Sequence, residues 1–172
     1  MQKIRNVGLL LSVLLVAGCS SFTGKSSPTL PREAQWGIVP LVNYSQTPQA
    51  GERSEQILLS VLSSKGLQPQ VYPVSAQGEQ ALLDDRERLN NALEWARQQK
   101  LDYVVAGSVE EWQYKNGLDG EPAVGISLRV IEPASGSVLW SESGARAGWS
   151  RESLAGLAQK VLKKLVGNLR IE

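Results

Sequence analysis

The chain has 172 residues, 18 Lys or Arg against 17 Asp or Glu, no histidine and a single cysteine, Cys19. Balanced charge gives no electrostatic case for nucleic-acid binding. One thiol allows no disulfide within a chain, and the lack of histidine removes the usual triads and imidazole metal sites.

Lys3 and Arg5 open the chain, Val7 to Val16 is almost wholly apolar, and Val16-Ala17-Gly18 leads into Cys19. That is the layout of a secretory signal. The apolar run is about half of the roughly 20 residues a spanning helix needs, and no later stretch is apolar enough to span. Cysteine in place of the usual small residue makes Val16-Ala17-Gly18-Cys19 resemble a bacterial lipobox. The resemblance implies cleavage before Cys19, a diacylglycerol on its thiol, and a palmitate-like acyl chain on the new amino end. A soluble periplasmic protein with a free thiol is the other reading. A single fatty chain binds membranes marginally, whereas several on one cysteine hold permanently. Ser20, not Asp, follows Cys19. By resemblance to lipoprotein sorting this favours the outer membrane, facing the periplasm. Loss of residues 1–18 removes Lys3 and Arg5 and no acid, leaving 16 basic against 17 acidic residues, net −1.

Residues 19–33 (from Ser20, SSFTGKSSPTLPRE) are rich in Ser, Thr, Gly and Pro, show no apolar period, and read as a lipidated tether. As a coil the tether's ends would lie about 20 Å apart. Residues 34–172 have the length of one periplasmic domain. Trp36–Tyr44 reads as a buried strand, with Pro40 arguing for an edge or a bulge. A helix follows from about Glu52 to Lys65, with Ile57, Leu58, Val61 and Leu62 on one face and Gly66 at its C′ position. Gln70–Ser75 is a weaker strand. A second helix runs from Ala81 or Asp84 to Gln99, with Leu89, Ala92, Leu93 and Ala96 as its stripe. Tyr103–Tyr114 is a long strand. Ala123–Ile131 alternates, with Val124, Ile126, Leu128 and Val130 facing one way and Gly125, Ser127 and Arg129 the other. A turn at Pro133–Gly136 joins it to Ser137–Ala145. The last helix runs from about Arg151 to Leu169 on a stripe of Leu154, Leu157, Ala158, Val161, Leu162, Leu165 and Leu169, with Lys160, Lys163 and Lys164 off it. The order β-α-β-α-β-β-β-α predicts a single layered α/β domain: one βαβ crossover, an antiparallel meander, and a mixed sheet with packed helices.

Catalytic chemistry has few candidates. Glu110 and Glu111 are adjacent on a strand, so strict alternation sends them to opposite faces. Asp84 and Asp85 begin a helix, where acids suit the dipole. No serine stands out for a Ser–Lys pair, no Gly-rich phosphate loop follows a strand, and nothing calls for a metal or cofactor. The expectation is a protein that is not an enzyme.

Two loops carry more. KNGLDGEP at 115–122 holds Asn-Gly and Asp-Gly turn pairs and reads as a solvated hairpin loop. Its Asp119 and Glu121 would form a ring of negative charge if copies met around an axis, attracting polycations. GARAGWSRES at 144–153 leaves two readings of Trp149 open. With Ser150 as N-cap, Trp149 and Leu154 occupy the N′ and N4 positions of a hydrophobic staple. Otherwise Trp149 is exposed and sits in a membrane interface.

The runs AQWGIVPLVNYSQTPQAGER, LEWARQQKLDYVVAGSVEEWQYKNGLDGEPAVG, EPASGSVLW and SGARAGWSRESLAG, together with the lipobox, resemble the PelC family of Pel exopolysaccharide export lipoproteins. A PASG-type turn followed by VLW is also similar to the N-terminal domain of TolB and to CsgG-like periplasmic lipoproteins, which bears on fold. The PelC resemblance implies a non-enzymatic part of a biofilm-polysaccharide secretion machine. It implies a homo-oligomeric ring under the outer membrane, beside the β-barrel exporter PelB, passing a cationic amino-sugar polymer. It makes Cys19 the anchor, Trp149 the contact with outer-membrane lipid, and Asp119 part of an acidic lumen; Glu121 joins it by proximity. A lipoprotein regulator that binds a periplasmic or outer-membrane partner protein is the alternative.

Overall fold

The computed structural model describes residues 20–24, 27–73, 85–115, 120–149 and 151–172. Among them the chain forms β1 (Ser20–Gly24), β2 (Trp36–Asn43), α1 (Ala50–Ser64), β3 (Gln70–Val71), α2 (Asp85–Gln98), β4 (Tyr103–Tyr114), β5 (Pro122–Glu132), β6 (Ser137–Ala147) and α3 (Leu154–Asn168). The strands make one six-stranded sheet in the order β1-β6-β5-β4-β2-β3. β2 pairs parallel with β3 and with β4, and β4, β5, β6 and β1 pair antiparallel in turn. The expected α/β class and mixed sheet are what the chain adopts, with two parallel connections in place of one.

Alternation along β5 buries Val124, Ile126, Leu128 and Val130 on one face, where α1 and α3 pack. Leu58, Val61 and Leu62 of α1 and Leu157, Val161, Leu162 and Leu165 of α3 complete that core. Among the described residues, the opposite face is covered near β2 and β4, where Ala92, Leu93 and Ala96 of α2 meet Val39, Val104 and Ala106, and nothing covers it beyond α2. Thr23, Ser143, Ser127 and Ser108 stand in register across four strands there, and the Ser127 and Ser143 hydroxyls lie 2.8 Å apart.

Pro40 does sit at an irregularity: the β2–β4 register shifts between Ile38 and Leu41. The Leu41 N–H donates to the buried carboxylate of Glu55 on α1 at 2.9 Å. Both described helix C-termini that leave the sheet's central layer close with the paired backbone bonds of a Schellman turn. At α1, Gly66 (φ 87) bonds Ser63 and Leu67 bonds Leu62. At α2 the same turn is made by Lys100 at φ 57.

The tether is where sequence and structure part. Ser20–Gly24 is not free coil but edge strand β1, paired from Ser20↔Arg146 to Gly24↔Glu142. The local sequence has no apolar period, so β6 and the core supply the cause. β6 offers an unpaired edge, and Phe22 packs on the main core over Gly144, where any Cβ would collide with its ring. Leu30 then bridges to Ile171, so this segment also binds the C-terminus.

Candidate functional site at the loop end of the sheet

β4 ends, β5 begins, β6 ends and β1 begins at one end of the sheet. Two of the sequence candidates, Glu121 and Trp149, lie there. Cys19, Asp119 and Ser150 lie outside the described residues. Glu121 is exposed beside β5, and its carbonyl accepts the Lys115 N–H at 2.7 Å, which closes the base of the loop that carries Asp119.

Trp149 follows β6 and is 64% exposed. The preceding Gly148 N–H donates to the Pro122 carbonyl at 2.8 Å, extending the β5–β6 pairing past its last ladder partner. A turn then forms, with Glu152 N–H donating to the Trp149 carbonyl at 2.8 Å. α3 starts at Leu154 with Ser153 as its N-cap, and the Ser153 hydroxyl accepts from Gly156 N–H at 3.1 Å. The staple expected from a Ser150 cap is therefore not formed: Trp149 precedes the cap by four residues. Glu152 folds back instead. Its carboxylate lies where a Gly148 side chain would stand, and it pairs with Lys160 at 2.5 Å. The indole is left outside.

A second feature was missed by strict alternation. The β4–β5 register shifts between Val109 and Glu111, so Glu110 has no cross-strand partner. Before this bulge Val105 and Val109 face the main core; after it Trp112 does. An even-numbered residue has taken the phase of odd ones, as one extra residue in a strand requires. Glu110 and Glu111 thus share the open face, and do not point to opposite sides. Ser108 Oγ donates to Glu110 at 2.7 Å, and Gln113 Nε2 to Glu111 at 3.0 Å. Glu110, Glu111 and Gln113, with Tyr44, Ser45, Gln46 and Thr47, line a cleft of ≈ 230 Å³. The slip was present in the sequence as the spacing Val105, Val109, Trp112.

No family model matches the chain, and no curated protein does. Among solved structures, it is similar to a PelC dodecamer from Paraburkholderia phytofirmans, with 35% identity over 90% of this chain and 99% of that one, at a TM-score of 0.75. The chain belongs to the PelC family. A second PelC dodecamer structure from the same organism gives 34% identity and a TM-score of 0.76. Lipoprotein GNA1162 from Neisseria meningitidis shares the fold, at 19% identity and a TM-score of 0.58 over 78% of this chain and 96% of that one. For a PelC-family chain, the features just described are two separable surfaces. One is the loop end with Glu121 and Trp149; the other is the open face with its hydroxyls and paired carboxylates.

Proposed function

We propose that this PelC-family chain is a lipid-anchored, non-enzymatic component of a Pel-type exopolysaccharide export machine. The observation that carries the reading is the 35% identity to a PelC dodecamer across 90% of the chain. Copies assemble as a ring on the periplasmic side of the outer membrane, beside the β-barrel exporter PelB. Acylated Cys19 anchors each copy, and Trp149 enters the lipid interface. Its exposure and the position of the α3 cap support that role. Asp119 and Glu121 line the opening and attract a cationic amino-sugar polymer. Repeated carboxylates give a diffuse field with many weak sites, so the polymer is drawn in without being held. Salt screens that field over roughly 8 Å at physiological ionic strength.

Mass measurement of the acylated chain in solution and in vesicles tests the assembly. A closed oligomer on lipid is expected, and a monomer under both conditions refutes the ring. Asp119→Lys should lower polymer export while the ring persists; unchanged export removes the acidic guide.

A further inference from the structure

Strand β1 begins at Ser20, the residue bonded to Cys19. From this we infer that the lipid anchor has no slack: acyl chains on Cys19 leave the fold at the rim of the sheet and hold that rim flat on a lipid surface. The inference rests on the acylation of Cys19 proposed above.

The leash is short because it is built into the sheet. Every residue from Ser20 to Gly24 pairs with β6, and Phe22 is seated on the core. One Cα–Cα step of about 3.8 Å separates Cys19 from Ser20. The ladder to Arg146 adds about 5 Å. Three further residues to Trp149 add at most about 10 Å. The backbone at Cys19 and that at Trp149 are therefore within about 20 Å of each other. Residues 20–33 as a free coil would let the domain stand off by up to about 45 Å.

The surface held down suits lipid. Four large hydrophobics are exposed among the described residues: Tyr44, Tyr114, Val138 and Trp149. Tyr114 ends β4 and Trp149 follows β6, so both lie at the same end of the sheet as Ser20, whereas Val138 is at the other end. Arg146, Arg151 and Lys115 are exposed there, beside the exposed Glu121 and a half-buried Glu152 that pairs with Lys160. Tryptophan and tyrosine favour the headgroup layer, and basic side chains favour anionic lipid. A rigid link keeps the local concentration of the rim at the bilayer high; a long flexible one lowers it.

The experiment uses the acylated chain in phosphatidylethanolamine–phosphatidylglycerol vesicles with brominated acyl chains. The readout is quenching of the fluorescence that Trp149→Phe removes. A companion variant carries a Gly/Ser spacer of about ten residues, beginning with serine, between Cys19 and Ser20. Mass spectrometry confirms acylation of both. The native chain should be quenched, and the spacer variant should stay on the vesicles with quenching reduced on the order of threefold. Equal quenching in an acylated spacer variant overturns the short leash, as does an acylated native chain that is not quenched. A native chain without acyl groups refutes the anchor reading itself.

Discussion

The ring of Phe22 lies over Gly144, in the space a side chain on that glycine would need. β1 is thereby fastened to β6 by shape as well as by its ladder. Gly144→Ala should force the two strands apart at a cost of about 1–3 kcal/mol, the usual range for overpacking. Hydrogen exchange checks this: amides of residues 20–24 should lose protection while those of β4 and β5 keep theirs.

Glu55 supplies the acceptor that the bulge at Pro40 requires. Glu55→Ala leaves the buried Leu41 N–H without its acceptor, at about 1–3 kcal/mol. For a domain of this size that lowers the Tm by roughly 2–12 °C. Glu55→Gln retains a carbonyl oxygen and should recover part of the loss in a thermal melt.

Trp149→Ala should change the Tm by no more than about 1 °C, since the indole is mostly exposed and packs in no core cluster. Its effect should fall on vesicle contact. A large drop in the Tm with unchanged quenching by brominated lipid would mean that the side chain is structural.

Lys65 gives a pH signature. Its ammonium donates to the carbonyls of Val166 and Leu169 at 2.6 Å each, tying the end of α1 to the end of α3. Burial, and secondarily the charge of Arg32, lowers its pKa below the ordinary 10.5. The unfolded chain then binds the proton more tightly, so stability rises with pH between the lowered value and 10.5 and is lost again as pH falls through that window. Lys65→Met should flatten this alkaline rise in chemical denaturation measured across it.

Lys100 holds a left-handed conformation that glycine adopts freely. Lys100→Gly should stabilise the end of α2 by about 0.5–1 kcal/mol, read as a shift in denaturation midpoint at constant slope.

Much of this architecture was legible in the sequence because it follows from period and punctuation. Tyr103–Tyr114 is a strand over the span its pattern predicts, and the turn ending at Gly136 joins β5 to β6. Pro40 announced its irregularity. What escaped depends on contacts distant in the chain. SSFTG has no strand pattern of its own and is ordered by the free edge of β6 and by the space at Gly144. Ser150 reads locally as a cap for the last helix, but the cap is Ser153, and the fold-back of Glu152 toward Gly148 and Lys160 accompanies that shift. Adjacent glutamates share a face only because a bulge advances the pleat between Val109 and Trp112.

Crowding copies on one surface is the condition in which open strand edges template one another into aggregates. The sheet's ends are poor templates. Among the described residues, β1 masks much of the eleven-residue β6 with five mostly polar residues, and β3 leaves only Gln70–Val71 beyond β2. Short terminal strands of this kind resist edge-to-edge growth. Copies held side by side on a surface would meet through faces and loops, and not by lengthening a common sheet into fibres.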